Sequence, residues 1–163
     1  MAHRVYRQQL AVHWGFLAIT LVALVVLAAR LLSSIQDAQQ GHLASASMLP
    51  TIPAGATITY QPVPATLSRG EVVVLGLEHG TDRLLASRVV GLPGETVEIR
   101  AESLFINGQV KDPFSGAPMP ASLPPLHLGT DQYFLLGDNR AAALDSRVFG
   151  PVERRQILGV VLS

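Results

Sequence analysis

Two serines in one short segment are the first residues that could carry chemistry. Ser45 and Ser47 lie in Leu43–Ile52, which reads LASASMLPTI. Pro50 has a fixed φ and favours an extended conformation at Leu49, so it can hold a preceding serine rigidly in a loop. A hydroxyl held in this way can act as a nucleophile if a neighbouring base takes its proton. A serine in such a segment is more often a turn or cap residue, and the segment alone does not establish a catalytic role.

The side chains that could act as that base are dispersed along the chain. His3 and His13 precede a long apolar run that we interpret below as a membrane-spanning helix. They would lie across the membrane from Ser47, so they are excluded as its base. No spacing of His, Asp and Glu indicates a metal site, and the absence of cysteine excludes a disulfide framework and a thiolate zinc site. We expect neither a metal nor a cofactor. The remaining candidate bases, each interpreted first as a solvated surface residue, are His42, His79, Lys111 and His127.

The composition excludes several classes of protein. Of the 163 residues, 48% are hydrophobic and 15% are charged, and the formal net charge is +0. A chain with this composition is not disordered. A neutral chain with a single lysine is a poor nucleic-acid binder, because phosphate neutralisation supplies most of that affinity. The length suits one folded domain of the usual ~100–200 residues, and we expect no nucleic-acid partner.

A nearly uncharged run, Trp14–Leu32, is predicted to form a transmembrane helix that anchors this domain to a membrane. Its length is close to the ~20 residues that cross a bilayer core as a helix. Because Arg4 and Arg7 precede the run, the positive-inside rule places residues 1–13 in the cytoplasm and residues 33–163 outside it. A cleaved secretory signal and a buried core helix are the alternatives, but the run exceeds the ~7–15 residues of a signal-peptide core.

Residues 33–163 are predicted to form a mainly β domain. Short β-like runs are separated by turn signals, of which Asn107-Gly108 is a strong hairpin signal. The prolines within residues 109–129 predict an irregular excursion there rather than a strand. The predicted strands are Thr57–Tyr60, Glu71–Leu77, Leu84–Val90, Thr96–Arg100, Leu104–Ile106, Gln132–Leu136 and Ile157–Leu162.

Four motifs follow the apolar run in a fixed order. They cover most of the chain from Ser45 onward, and they resemble the motifs of the bacterial type I signal peptidases, membrane-bound serine proteases that release exported proteins from their signal peptides. The resemblance implies a mainly β, signal-peptidase-like catalytic domain outside the cytoplasm, preceded by one transmembrane helix, that cleaves after small residues of the A-x-A type. The motifs are Ser45–Thr51 (SASMLPT), Arg69–Val74 (RGEVVV), Ser87–Glu95 (SRVVGLPGE), and Gly137–Arg140 (GDNR) with Leu144–Gly150 (LDSRVFG).

The resemblance also implies roles for individual residues. Ser47 matches the family's nucleophile, and its backbone N–H would form the oxyanion hole together with the hydroxyl of Ser45. Met48 and Val90 would line the substrate groove. Asn139 is interpreted as a hydrogen-bonding turn residue. The residues that match positions supporting the site are Arg88, Asp138, Arg140, Asp145, Ser146 and Arg147.

The sequence departs from the family at the general base. The family carries a lysine directly before the Arg-Val-Val of its second strand, and here that position is Ser87. The serine that hydrogen-bonds this lysine in the family is replaced by Ala143. A serine hydroxyl cannot take a proton at neutral pH as a desolvated amine can. Both halves of one contact are missing, which indicates a lineage that has abandoned the Ser/Lys dyad.

The leading hypothesis is therefore a single-pass serine endopeptidase of the signal peptidase I type with an atypical or impaired base. It would lie in the bacterial inner membrane with its N-terminus in the cytoplasm. Its partners would be exported pre-proteins, membrane lipid and the protein export machinery. One alternative is a non-proteolytic homologue that binds signal peptides or the export machinery. Another is a maturation peptidase specialised for a substrate such as a pilin.

Overall fold

The computed structural model describes residues 17, 19–30, 38–43, 45–76, 83–111, 119 and 121–162. The chain divides into two units, Met1–Ala38 and Gln39–Ser163. In the first unit, residue 17 and residues 19–30 are helical. Within the described ranges, no helix has both the length and the apolar character needed to cross a membrane. Residues 14–16, 18, 31 and 32 of the expected span lie outside the described residues, so the transmembrane helix stays a prediction.

The second unit is mainly β, which confirms the predicted fold class. It also contains a short α-helix, Ser146–Phe149, and a 3₁₀ turn, Arg154–Gln156. Its described strands are β1 Gln39–Leu43, β2 Thr57–Gln61, β3 Val72–Gly76, β4 Arg83–Gly91, β5 Thr96–Arg100, β6 Ser103–Ile106, β7 Gln109–Val110, β8 Leu123–His127, β9 Gln132–Leu136, β10 Val152–Glu153 and β11 Ile157–Val161.

These strands form two sheets. The larger has the order β1-β2-β11-β3-β4-β9-β10, and the smaller has the order β7-β6-β5-β8. β1 pairs with β2 in the antiparallel sense, and at His42 and Leu43 it also pairs in parallel with β4. This second contact closes β1, β2, β11, β3 and β4 into a ring. The ring brings the end of β1, where the Ser45–Ser47 segment follows, beside β4.

Burial on both faces explains the sequence of β3, which reads VVVLG. Val73 and Leu75 pack into one apolar cluster with residues of β4, β9 and β11, whereas Val74 packs into a second cluster with Met48. A strand covered on both faces has a continuous apolar run rather than an alternating pattern. A third cluster, which includes Val97, joins the smaller sheet to β4 and β9.

The predicted strands are confirmed, each with ends within a residue of the observed bounds where the structure describes them. The Asn107-Gly108 turn connects β6 to β7, and both residues have positive φ, 51° and 76°. A two-residue hairpin turn with positive φ at both positions matches the twist of the strands that it joins.

The expected irregular excursion over residues 109–129 requires correction, because it contains β7 and β8. β8 includes Pro124 and Pro125 but lies at the edge of the smaller sheet. At an edge, a missing N–H on the open side breaks no pairing with a second strand. Residues 112–118 and 120 lie outside the described residues. β1 and β10 are not predicted from the sequence because they are short and form by pairing with other strands, and the helix is only four residues long.

Candidate active site

The segment that follows β1 folds into a turn against the larger sheet. The N–H of Leu49 donates to the carbonyl oxygen of Ala46 at 3.2 Å, and the N–H of Ile52 donates to that of Met48 at 2.9 Å. Met48 is fully buried among residues of β1, β2, β3 and β4. Its side chain anchors the turn and holds Ser47, which is 4% exposed, against the sheet.

The hydroxyl of Ser47 has two hydrogen-bond partners among the described residues. It accepts from the hydroxyl of Ser45 at 3.0 Å and donates to the carbonyl oxygen of Ala86, in β4, at 3.2 Å. The backbone N–H of Ser47 donates to the same Ser45 oxygen at 3.4 Å. Two potential donors, the Ser45 hydroxyl and the Ser47 N–H, therefore lie side by side next to Ser47 Oγ. An arrangement of this kind can stabilise charge on one oxygen placed between them.

The position that carries a lysine in the resembling family holds a buried hydroxyl. Ser87 follows Ala86 in β4, pairs with Val73 of β3, and is 0% exposed. Its Oγ has no hydrogen-bond partner in the part of the chain that the structure describes. Leaving a buried hydroxyl unpaired costs about 1–3 kcal/mol. The Ser47 proton thus points at an amide carbonyl, a poor base, and Ser87 supplies no amine.

None of the described candidate bases hydrogen-bonds to Ser47. His42 is exposed on β1, where its Nδ1 lies 3.0 Å from the hydroxyl oxygen of Thr57. His127 and Lys111 are both exposed, and His127 belongs to β8 of the smaller sheet. His79 lies outside the described residues, so the structure neither supports nor excludes it. The described ranges also contain no cluster of three His, Asp or Glu that could hold a metal ion.

A second turn, residues 137–139, holds the nucleophile segment from the other side. The N–H of Asn139 donates to the carbonyl oxygen of Ser47 at 2.9 Å, and its side-chain amide donates to that of Ala46 at 3.2 Å. A Cβ at Gly137 would lie 2.6 Å from the Ser47 carbonyl oxygen and 2.3 Å from the Cβ of Ala143. Because real Cβ atoms do not approach so closely, only glycine fits at this position. The same packing places Ala143 next to the nucleophile segment.

A buried ion pair fixes the middle of that second turn. Arg88 donates from Nε to Asp138 Oδ1 at 2.8 Å and from its terminal nitrogens to Asp138 Oδ2 at 2.5 Å and to the carbonyl oxygen of Gly70 at 2.7 Å. Thr51 also donates to Asp138 Oδ2, at 2.5 Å. Burial raises the pKa of Asp138, but the hydrogen bonds from Arg88 and Thr51 and the charges of Arg88 and Arg140 outweigh it, so the pKa is lowered. The ionised carboxylate therefore links the Ser47 segment, β4 and the second turn.

Replacing Asp138 with asparagine is expected to lower the free energy of unfolding by about 3 kcal/mol at pH 7, because it removes the carboxylate charge that pairs with the largely buried guanidinium of Arg88. The Asp138 contribution is complete above the unfolded-state pKa, near 3.8, and is lost as the pH falls through the lower folded-state pKa. Urea unfolding should therefore show that the difference in the free energy of unfolding between wild type and variant is smaller at pH 3 than at pH 7. The exposed Asp131→Asn serves as the control, and an equal loss at both pH values would contradict the assignment.

Asp145, Arg140 and Arg147 hydrogen-bond to backbone groups in and beside the second turn. Asp145 is fully buried, accepts from the N–H of Gly137 at 3.0 Å, and accepts from Nε and a terminal nitrogen of Arg147 at 2.8 and 2.7 Å. Arg147 also donates to the carbonyl oxygen of Arg140 at 2.6 Å, and Arg140 Nε donates to that of Gly137 at 3.0 Å. Ser146 Oγ accepts from the N–H of Leu135 in β9. These bonds hold the second turn on the end of β9.

The residues expected to line a substrate groove are buried in the structure. Met48 is 0% exposed in the cluster beside the Ser47 turn, and Val90 is 1% exposed in the cluster beneath the smaller sheet. Neither side chain presents a surface to a peptide in this conformation. Met48 supports the Ser47 turn from below, and direct contact of either side chain with a substrate stays a prediction.

Sequence reasoning assigned no role to two groups that the structure places next to Ser47. They are the carbonyl of Ala86 and the glycine at position 137. The first is a backbone group and has no sequence signal. A glycine directly after a buried strand is a turn signal, so Gly137 could have been singled out.

Comparison with known proteins gives a consistent assignment. The family described as signal peptidase, peptidase S26, matches residues 12–163. A probable signal peptidase I-2 of Synechocystis is 32% identical over 158 residues, which cover 90% of this chain and 70% of that protein. Signal peptidase I V of Bacillus subtilis is 35% identical over 112 residues, which cover 59% of this chain and 65% of that protein.

A solved structure also matches the chain. A crystal structure of a signal peptidase I from Enterococcus faecalis shares 27% sequence identity with a TM-score of 0.51, and the match covers 61% of this chain and 99% of that one. Together with the family match over residues 12–163, these similarities show that the chain belongs to the signal peptidase family, peptidase S26.

Proposed function

We propose that this protein is a serine endopeptidase of the signal peptidase I type that removes signal peptides from exported pre-proteins at A-x-A-like sites. The observation that carries the proposal is the pairing of Ser47 and Ser45 on an anchored turn, with the Ser45 hydroxyl 3.0 Å from Ser47 Oγ and 3.4 Å from the Ser47 nitrogen. The names of the related proteins support pre-proteins with signal peptides as the substrate class.

In the proposed reaction, Ser47 Oγ attacks the carbonyl carbon of the scissile peptide bond and loses its proton. The negative charge that develops on the carbonyl oxygen is stabilised by the Ser47 N–H and the Ser45 hydroxyl. Collapse of the tetrahedral intermediate breaks the C–N bond, and the proton lost by Ser47 is delivered through solvent to the leaving nitrogen, so the mature protein leaves as a free amine. Water then hydrolyses the ester on Ser47 and returns a proton to its oxygen. Ser45 would have to turn its proton from Ser47 Oγ toward the oxyanion.

Removal of the Ser47 proton is the impaired step of this mechanism. The proton is donated to an amide carbonyl, and the Ser87 and Ala143 side chains contain no amine or imidazole. We therefore expect turnover well below that of an enzyme with a positioned base, whose contribution is typically ~10²–10⁴-fold. The same observation favours a second function, in which the protein binds signal peptides without cleaving them.

The proposed function is tested by incubating the purified full-length protein in detergent micelles with a pre-protein that has an A-x-A site. Mass spectrometry of the products should show a single cut directly after the second alanine. Retention of the pre-protein on the immobilised chain, with no product at any pH between 6 and 10, would instead support the binding function. A chain that neither cuts nor retains the pre-protein would contradict both functions.

We further infer a single-pass protein of the bacterial inner membrane whose N-terminus is cytoplasmic, with membrane lipid and the export machinery as partners. The inference is supported by the Trp14–Leu32 run with Arg4 and Arg7 before it. Protease added to the outer face of spheroplasts should digest residues 33–163 and spare an N-terminal tag. Protection of residues 33–163 would reverse the orientation, and recovery of a mature chain that starts near Ala38 would identify the run as a cleaved signal.

A further inference from the structure

The peptide unit that carries the oxyanion donor is tied to a side chain far away in the sequence. The carbonyl of Ala46 and the N–H of Ser47 belong to one planar peptide unit, in which the two groups point in opposite directions. Fixing the direction of the carbonyl therefore fixes the direction of the N–H. The Ala46 oxygen accepts from the side-chain amide of Asn139 at 3.2 Å, in addition to the local turn bond from the N–H of Leu49.

The following peptide unit is tied to the same residue. The backbone N–H of Asn139 donates to the carbonyl oxygen of Ser47 at 2.9 Å. Asn139 is itself held in place, because its carbonyl oxygen accepts from the N–H groups of Ala142 at 3.1 Å and Ala143 at 2.9 Å. One residue on a braced turn thus sets both peptide units that flank the nucleophile.

We propose that the side-chain amide of Asn139 is a positioning group that aims the Ser47 N–H at the developing oxyanion. The inference rests on the proposed function and deepens it. The role requires a donor, because the Ala46 carbonyl oxygen can only accept. An aspartate at this position has the same shape but donates nothing when ionised, and its charge would oppose the carbonyl oxygen and the oxyanion. The neighbouring Asp138 differs, since Arg88 and Thr51 pair with its carboxylate.

The test compares Asn139→Ala and Asn139→Asp with wild type in the full-length protein. Both variants keep the backbone N–H that donates to Ser47. We expect kcat for an A-x-A peptide to fall at least about tenfold in Asn139→Ala and further in Asn139→Asp, with KM changed less than about twofold. The loss should stay within the ~10²–10³-fold cost of removing an oxyanion donor entirely. Asn107→Asp, in a turn of the smaller sheet where the Asn107 side-chain oxygen only accepts, is the matched control and should behave as wild type.

A peptide boronic acid with an alanine side chain beside the boron gives a readout that needs no turnover. The Ser47 oxygen donates an electron pair to boron, its proton passes to buffer, and a tetrahedral boronate anion forms in the site. The affinity of the protein for this boronic acid should fall in parallel with kcat in the Asn139 variants. Its affinity for an uncleavable peptide amide of the same sequence should not change. Equal loss of both affinities would assign Asn139 to holding the whole loop and overturn the inference, as would variants that match wild type. A wild type that neither cuts the peptide nor binds the boronate would overturn the proposed function instead.

Discussion

Alanine at position 47 is expected to abolish cleavage of an A-x-A pre-protein, because the attacking oxygen is removed. Alanine at position 45 is expected to slow cleavage by roughly 10²–10³-fold, the usual cost of one oxyanion donor. The Ser45 hydroxyl bonds to both the hydroxyl and the N–H of Ser47, but the Ser47 hydroxyl keeps its bond to the Ala86 carbonyl when the Ser45 hydroxyl is removed. The measurement is the initial rate of product formation, followed by gel or mass spectrometry, at saturating substrate.

Ser103→Ala provides the matched control for these two variants. The Ser103 hydroxyl donates to a local carbonyl in the smaller sheet and makes no contact with the Ser47 turn. Its removal should leave the rate unchanged. Equal rates for wild type and Ser47→Ala would discard the enzyme hypothesis, and equal rates for wild type and Ser45→Ala would remove Ser45 from the oxyanion hole.

Restoring a base is expected to produce the opposite change. Ser87→Lys combined with Ala143→Ser should raise the cleavage rate by at least ~10²-fold, the lower end of what a positioned base contributes. Both positions adjoin the nucleophile segment: Ser87 follows Ala86, whose carbonyl oxygen accepts from Ser47, and Ala143 packs against Gly137 beside the Ser47 carbonyl oxygen. Ser87→Lys alone should gain less, because nothing would orient its amine.

Packing decides whether the double variant can succeed. Lysine is larger than serine, and forcing extra volume into a filled site typically costs ~1–3 kcal/mol. Ser87 is fully buried, and a Cβ at Gly137 would lie 2.3 Å from the Cβ of Ala143, so the present residues leave little free space at either position. The midpoint of thermal unfolding and the cleavage rate of the double variant should thus be measured together.

Two outcomes would contradict this expectation. If the wild type cleaves fast and the double variant more slowly, another base has taken over, and His79 would be mutated first. A folded double variant that binds signal peptide but remains inactive would favour the non-proteolytic function.

The strands could be predicted where the sequence itself carries the pattern. Runs such as EVVVLGL and the Asn107-Gly108 turn predict local structure directly, and the structure contains both. β1 could not be predicted, because QQGHL has no strand pattern and becomes a strand through pairing with β2 and β4. The prolines of β8 suggested a loop, because sequence alone does not tell an edge strand from a central one.

Some features of the candidate site could likewise be predicted from the sequence, and others could not. Ser45 and Ser47 are two residues apart, so their proximity follows from the sequence. The bonds from Asn139 to Ala46 and Ser47 cross more than ninety residues, and their donors and acceptors are mostly backbone groups that any residue type could supply. The missing amine at position 87 could be inferred from a resemblance. The burial of Ser87 and its unpaired hydroxyl depend on packing between β3, β4 and β9, which no local pattern encodes.

The position of β11 in the ring has a consequence for the order of events during synthesis. β11 lies between β2 and β3, so β2 has no antiparallel neighbour on that side until residues 157–161 have emerged from the ribosome. The Ser47 turn is made about a hundred residues earlier, and β1, β2, β3 and β4 can pair among themselves, but the ring between β2 and β3 cannot close before then. Such distant pairing folds slowly, typically in milliseconds to seconds. The ring of strands that carries the nucleophile of a growing chain therefore stays open between β2 and β3 until this last strand has been made.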